Sequence, residues 1–482
     1  MASQGGAAVP AGLLAALARL LGPAGMLTDP VDTAPFATDW RGLYRGRTQA
    51  VLRPASSGEV AECVRLAAAA RVGLVPQGGN TSMVGGAAPS EDGSELVLSL
   101  SRLNRIRAVD PLDLTLWVEA GVTLKAAQDA AAAACLWLPL SISSEGSAEI
   151  GGVLATNAGG NHTLRFGNAR ERVLGLEVVL ADGSVWNGLR RLRKDNTGYA
   201  LRQLFVGSEG TLGIITQAVL RLEPAPAERA TALVGLSSVD AALRLLQRLQ
   251  RHDAAALIAF EYMSGTGLDL VLAQIPGTRL PLTHRQPHYA LIELASSRAA
   301  NELAAGLEAA LTDALEAGEI DDAALARSEA QRADMWRLRE EHSEAQKRAG
   351  ASIKNDVSVP VPAIPELLRR AAERVCAIVP GVRVAPFGHL GDGNIHFNLV
   401  QPEGATPDAF LAQAEALTEA VTDVVLSLDG SFSAEHGIGR LKPPLLARFR
   451  SGTEISLMRR IKEALDPEGL LNPGKLLPPT ET

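Results

Sequence analysis

The side chains best suited to chemistry are concentrated in two short stretches. Gly388-His389-Leu390-Gly391-Asp392-Gly393-Asn394-Ile395-His396-Phe397-Asn398 sets two histidines around a glycine-rich turn, and Glu435-His436-Gly437-Ile438-Gly439 sets a carboxylate beside a third. Asp392-Gly393 suits the centre of a two-residue type I′ hairpin turn. Counting outward, 391 pairs with 394, 390 with 395, and His389 faces His396. Directly opposed residues on one hairpin face have Cβ atoms roughly 5 Å apart, a spacing at which two imidazoles can chelate one ion. Asn398 falls on that same face, while Ile395, Phe397 and Leu399 turn toward a core. The spacing also admits two solvated imidazoles, or a small Ca²⁺ loop built on Asp392 and Asn394, although EF-hand spacing is absent. Glu435 adds a third ligand and His436 a spare base. A His/His/carboxylate set suits Zn²⁺ best, with Mn²⁺ and Fe²⁺ as alternatives.

Three glycine-dense segments carry a second kind of chemistry. Gln77 to Gly86 lacks side chains where backbone N–H groups could converge on an anion, and Thr81 and Ser82 add hydroxyl donors. Ser147 to Gly160 and Gly207 to Ile215 repeat the pattern of paired glycines with small polar groups. A glycine-rich turn without a ligand is the plain alternative for any one of them. Three together, none strongly basic, imply one long polar ligand lying along backbone. There is no GxGxxG after a first strand and no Walker lysine, which disfavours those two nucleotide modes.

A third candidate lies in Asp334-Met335-Trp336-Arg337-Leu338-Arg339-Glu340-Glu341-His342-Ser343. On a helix Trp336, Arg339 and Ser343 share one stripe, and Arg337 falls off it. Lys354 lies on the strand that follows. Such a stripe can hold an anion. A solvated face with local ion pairs is the commoner identity of so charged a helix.

These residues need elements to position them. Strands are expected at Val51-Leu52, Val72 to Val75, Glu95 to Leu100, Leu114 to Glu119 and Gly175 to Leu180. Ser56 with Glu59 forms a capping box for a helix to about Ala70, and Asp182-Gly183 reads as a two-residue hairpin turn. Beyond Pro224 and Pro226 the glycine loops stop. Strands at about 231–236, 257–263, 288–295 and 352–359 alternate with helices at about 239–251, 299–317, 329–349, 364–378 and 408–427, and a hairpin spans 382–400. Alternation with antiparallel pairing makes this part α+β.

At 482 residues, two or three domains are expected. A net charge of −8 argues against non-specific nucleic-acid binding. Cys63, Cys135 and Cys376 lie far apart without CxxC spacing, so neither a disulfide framework nor a thiolate metal site is read from them. With no basic n-region and no apolar run of 18 or more residues, the expectation is a cytoplasmic chain without a transmembrane segment.

The order of the glycine loops, with Arg193-Lys194-Asp195-Asn196-Thr197-Gly198-Tyr199 between them, resembles the FAD domain of vanillyl-alcohol oxidase type flavoproteins. Within that group it is similar to the D-2-hydroxyglutarate and D-lactate dehydrogenase branch, over roughly residues 30 to 478. The resemblance implies a two-part FAD-binding domain over 1–226 and an α+β substrate domain with a mainly antiparallel sheet over 227–430. A helical C-terminal segment, 431–482, would complete the active and flavin sites. It places FAD on Pro76, Gln77, Gly78, Gly79, Asn80, Thr81 and Ser82, then on Gly146, Ser147, Gly151, Gly152 and Asn157. Glu209, Gly210 and Ile214 fall near the adenine side, and Asn472 reaches toward the isoalloxazine. Some relatives attach the flavin through histidine or cysteine in the first loop. Neither occurs between Pro76 and Gly86, and Gln77 stands where arginine is frequent, so FAD is expected to be non-covalent. His162 is the other conceivable attachment point, although a polar loop histidine is the simpler identity.

The resemblance assigns the metal to His389, His396 and Glu435, and the role of base to His436. It assigns the substrate anion to Arg339, Ser343, Lys354 and Asn398, together with His436. The implied activity is FAD- and metal-dependent oxidation of a small D-2-hydroxy acid, D-2-hydroxyglutarate first, with D-lactate, D-malate or glycolate as alternatives. Ser343 stands where the 2-hydroxyglutarate members often have threonine, which leaves substrate chain length open. An electron-transfer flavoprotein, a quinone or a cytochrome would take the electrons, and a homodimer is an open option. Two further classes stand beside this one. They are a metallohydrolase that uses the same histidines and carboxylate to activate water, and a non-catalytic flavoprotein or a subunit that needs a partner for electron exit.

Overall fold

The computed structural model describes residues 9–299 and 302–479. The chain divides into two compact units. One comprises residues 1–159, 168–225 and 435–482, and the other residues 160–167 and 226–434.

The first unit contains two sheets. In the smaller, Glu95–Ser99 is the central strand, with Val51–Leu52 and Gly73–Gln77 parallel on either side and Met26–Leu27 at the edge. A strand paired on both sides is buried throughout, which explains its Leu96, Val97 and Leu98. The helix Ser57–Ala69 covers this sheet. Its N-cap Ser56 accepts from the Glu59 N–H at 3.2 Å, while the Glu59 carboxylate reaches back to the Ala55 N–H at 2.8 Å. Leu471 runs beside Leu74, and the Asn472 N–H donates to the Leu74 carbonyl at 2.8 Å. The first glycine loop therefore leaves the carboxyl end of a parallel strand, where ligands of open parallel sheets bind.

The larger sheet of this unit is antiparallel, in the order Ile106–Asp110, Thr115–Glu119, Ile214–Arg221, Val173–Val179, Val185–Gly188. Two of these strands escape sequence reading. Ile106–Asp110 is an exposed, charged edge strand, and Ile214–Arg221 is so uniformly buried that period-2 alternation vanishes. The Asp182-Gly183 turn has one residue more than expected. Val179 pairs with Val185, and Gly183 takes a left-handed φ of 82°.

The second unit is built on a seven-stranded sheet whose paired neighbours all run antiparallel. Its order is Asp322–Leu325, Glu228–Leu236, His288–Ser296, Leu257–Ser264, Phe387–His389, Asn394–His396, Asp356–Ser358. Alternate residues of the long strands enter two separate cores. Phe260, Tyr262, Ile292 and Leu294 pack with the helices Val239–Asp253, Leu303–Glu316, Ile364–Ile378 and Ala414–Ser427. Met263, Tyr289 and Leu291 pack under the helices Gly265–Gln274, Glu329–Glu340 and His342–Arg348. Glu261 and Glu293 lie on this second face, alternating with its apolar residues.

Four local expectations are corrected here. The helix expected over 329–349 breaks at Glu341 into two pieces. The strand expected over 352–359 divides between two sheets, Ser352–Ile353 pairing with Leu399–Val400 and Asp356–Ser358 with Asn394–His396. The helix expected over 408–427 is interrupted between Leu411 and Ala414. The helix expected from 299 starts at Leu303, and residues 300 and 301 lie outside the described ones.

Candidate functional site

In the hairpin, Leu390–Asp392 forms a turn of 3₁₀ helix and Gly393 takes a φ of 89°. This loop is two residues longer than a type I′ turn, and it moves the register. His389 opposes Asn394, and His396 opposes Phe387. A shift of two leaves every side chain on its expected face, because strand periodicity is two. The imidazoles therefore remain neighbours, with ring centroids 5.7 Å apart, but on a diagonal. Ile395, Phe397 and Leu399 enter the core.

The two histidines have different surroundings. The His389 Nδ1 sits 2.8 Å from Glu261 Oε1, and Arg339 Nε donates to Glu261 Oε2 at 2.8 Å. Burial alone would raise the Glu261 carboxyl. The charges and hydrogen bonds of His389 and Arg339 outweigh it and hold the group below the usual carboxylate range. Arg339 also lies over the Phe387 ring at 4.8 Å. His396 stands beside Asp356, Nδ1 to Oδ1 3.7 Å. Asp356 is fixed by Asn394 Nδ2 at 2.9 Å and by the Ala434 N–H at 3.1 Å.

Glu435 follows directly on Ala434, so chain continuity carries Glu435 and His436 to the same spot. Asp356, His396, Glu435 and His436 each offer a ligand atom, all within 4.8 Å of one another. Two imidazole nitrogens and two carboxylates fit a divalent transition metal. Of the expected ligands, His396 and Glu435 belong to this group, and so does His436, the expected base. His389 is outside it, and Asp356 is an addition. A histidine anchored through Nδ1 by a carboxylate is nevertheless the usual arrangement of a metal-ligating imidazole, and the Glu261–His389 pair has that form.

The expected anion-binding residues are distributed unequally. Arg339 is buried in its pair with Glu261, on the stripe with Trp336, whose Nε1 donates to Glu293 Oε1 at 3.2 Å. Ser343 is half-buried on the next helix, beyond the break. The half-buried Lys354 acts electrostatically on Glu344 of that helix. Asn398 is buried and donates to Gln346 Oε1 at 2.9 Å. His342, stacked on Phe387 at 4.8 Å, is pushed down to about 3, first by burial and then by Arg339, and packs as a neutral ring. Two residues missed in the sequence had a readable signal. Glu261 is a carboxylate inside an apolar strand, which must find a partner, and Asp356 alternates with buried valines.

In the first unit four of the expected non-glycine cofactor residues have left-handed backbone: Asn80, Asn157 and Glu209 at φ 52°, and Asn472 at φ 46°. For non-glycine residues this is uncommon and concentrates at ligand sites. A Cβ on Gly79 would run into the Ser147 carbonyl, one on Gly78 would sit 3.3 Å from Glu149 Cβ, and one on Gly210 would sit 3.2 Å from Pro76. At Gly146 and Gly152 a Cβ would meet nothing within 4 Å. Gly151 packs tightly on Ala120, and Ile214 opens a buried strand. Gln77 shapes the loop, donating to the Phe36 and Ala87 carbonyls at 2.9 and 2.8 Å. Ser82 Oγ accepts from the Val84 and Gly86 N–H groups, and Thr81 is half-buried. Asn157 Oδ1 accepts from the Arg170 N–H at 2.9 Å.

Glu209 accepts from the Ile438 and Gly439 N–H groups, both at 2.8 Å. Burial raises its carboxyl even against these two bonds. Asn472 Nδ2 donates to the Gly86 and Glu209 carbonyls at 3.0 and 2.7 Å. Three buried oxygens of this unit, Asn80 Oδ1, Asn472 Oδ1 and Glu149 Oε2, have no protein partner among the described residues. Two acceptors and a carboxyl, set among glycines with open space beside them, fit the hydroxyl-, amide- and phosphate-bearing FAD.

One unit thus holds a glycine cradle between strands, and the other is an antiparallel α+β unit. Residues 48–188 match the FAD binding domain, and residues 225–476 match the C-terminal domain of FAD linked oxidases. The chain belongs to this FAD-linked oxidase family and is an FAD-dependent dehydrogenase. It is 40% identical over 449 residues to the D-2-hydroxyglutarate dehydrogenase of Xanthomonas citri pv. viticola, covering 93% of each chain. It is 38% identical to the mitochondrial D-2-hydroxyglutarate dehydrogenase of Bos taurus, covering 96% of this chain and 83% of that one. Among solved structures, p-cresol methylhydroxylase with substrate bound superposes with a TM-score of 0.76 at 17% identity, covering 98% of both chains. At that identity the likeness shows the fold alone.

Proposed function

We propose that this chain oxidises a D-2-hydroxy acid to the 2-oxo acid, with D-2-hydroxyglutarate as its substrate. The observation that carries the reading is the placing of His436 among His396, Glu435 and Asp356, a base beside a set of metal-capable groups. The names of the relatives at 38–40% identity support the substrate class. Bound FAD supplies a hydride acceptor, and a bound divalent ion, Zn²⁺ first and Mn²⁺ or Fe²⁺ otherwise, supplies a Lewis acid. His396 and Glu435 hold the ion with His389, and Asp356 either joins them or steadies His396. His436 takes the substrate hydroxyl proton. Arg339, Ser343, Lys354 and Asn398 receive the carboxylates, two cations being suited to a dicarboxylate. FAD lies non-covalently on Pro76 to Ser82, Gly146, Ser147, Gly151, Gly152, Asn157, Glu209, Gly210, Ile214 and Asn472. The electrons leave to an electron-transfer flavoprotein, a quinone or a cytochrome. Ser343 keeps D-lactate, D-malate and glycolate as second readings.

The test is an anaerobic panel of these acids, read by loss of flavin colour. D-2-hydroxyglutarate is expected to bleach wild-type protein fastest, and His436→Ala is expected to keep its FAD while losing at least about a hundredfold in reduction rate. Colourless, metal-replete protein that takes up no added FAD would sink the reading. Near-wild-type reduction by the variant would remove His436 from its role.

A further inference from the structure

Glu149 takes no part in the chemistry above, yet it is one of the most unusual side chains in the first unit. It occupies the N-cap of the short helix Ile150–Ala155, where a carboxylate ordinarily accepts from the first backbone N–H groups, and it makes no such bond. Its residue is 8% exposed, and its Oε2 is buried without a partner among the described residues. That oxygen points at the first glycine loop, since a Cβ on Gly78 would lie 3.5 Å from Oε2 and 3.5 Å from the Gly152 N. Gly78, Gly152 and Glu149 thus converge on the cradle that fits FAD, and the loop from Gln77 to Gly86 contains no titratable group to offset a negative charge.

The charges on neighbouring elements are occupied elsewhere. Glu119 is paired with Arg105 and Arg107, Glu145 accepts from Gln128 at 3.0 Å, and Lys125 is paired with Asp129. The helix Ile150–Ala155 has no charged residue. Burial is the sole cause of a shift that carries the Glu149 carboxyl up to about 8. An ionised carboxylate beside a diphosphate would repel it, whereas a neutral acid can donate a hydrogen bond to a phosphate oxygen.

We propose that Glu149 enters the FAD complex as the neutral acid and donates a hydrogen bond to the cofactor's diphosphate while keeping its proton, so that capture of FAD in alkaline solution takes up one proton. The inference rests on the flavin reading above. Below about pH 8 the free protein already holds the proton, and FAD affinity is level. Above it the proton must be acquired on binding, and affinity falls about tenfold per pH unit.

The experiment titrates FAD into full-length apoprotein between pH 6.5 and 9.5, read by quenching of flavin fluorescence. Calorimetry in buffers of differing ionisation enthalpy counts protons. Wild type is expected to lose affinity above pH 8 and to take up close to one proton at pH 9, with little uptake at pH 6.5. Glu149→Gln, which keeps a donor that cannot ionise, is expected to bind at all pH values as wild type does near neutrality, with no uptake. A wild-type profile that is flat, or one that Glu149→Gln shares, overturns the proposal while leaving the flavin reading intact. Failure to take up FAD at any pH overturns both.

Discussion

At the scale of single residues, Glu261 joins the two halves of the second unit's candidate site. One carboxylate oxygen fixes the His389 ring and the other pairs with Arg339, all three side chains being largely buried. Glu261→Ala would leave a guanidinium buried without a counter-charge, a change that costs about 3–5 kcal/mol. A melting temperature lower by several degrees is therefore expected, with Glu261→Gln between it and wild type. A loss below about 1 kcal/mol would mean that Arg339 finds another partner. Residues of this kind set the limit of what the sequence discloses. His389, His396 and Glu435 stand out as candidates because their motifs are short and their types rare, although the clustered group takes His436 and Asp356 in place of His389; Glu261 lies 128 positions before His389 and meets it only through strand pairing. Separation along the chain also hides Asp356, whose neighbour His396 is brought in by the Asp356–Ser358 and Asn394–His396 ladder.

At the scale of elements, the glycine loops were the most legible feature, because a missing side chain is itself a statement about close approach. Gly79 makes this testable. A Cβ there cannot coexist with the Ser147 carbonyl as it stands, and overpacking of this kind costs about 1–3 kcal/mol. Gly79→Ala is expected to lower FAD affinity by about tenfold or more, measured as flavin content after purification and by titration. Full flavin content would show that the two loops part without cost. The hairpin is the contrary case. Asp392-Gly393 signalled a turn, but turn length depends on how Leu390–Asp392 winds, and that is decided by Leu390 packing into the core below. The faces survived the error, since the register moved by two. Helix breaks at Glu341 and after Leu411 were illegible for the opposite reason: neither site carries proline or glycine.

At the scale of the whole molecule, the flavin cradle and the metal-capable group draw on different residues. Chelation is therefore expected to leave FAD bound and the protein coloured while reducing substrate-dependent bleaching by at least about tenfold, and added Zn²⁺ or Mn²⁺ is expected to restore it. Unchanged bleaching with the metal verifiably removed would exclude a catalytic ion. Composition bounded the molecule only coarsely. The net charge of −8 turned attention from nucleic acids, and among the described residues no helix is long and apolar enough to cross a membrane.

The strand-like pairing of Leu471 with Leu74, and the hold of Asn472 on Gly86 and Glu209, fix an order of events during synthesis. The cradle that opens at residue 76 is walled on one side by residue 472. A nascent chain can build the surrounding sheet early, but that wall follows 386 positions after Gly86. Cofactor is thus expected to lodge in the finished cradle only after residue 472 has emerged, and a chain cut before Leu471 is expected to lose flavin content while its seven-stranded second unit still forms.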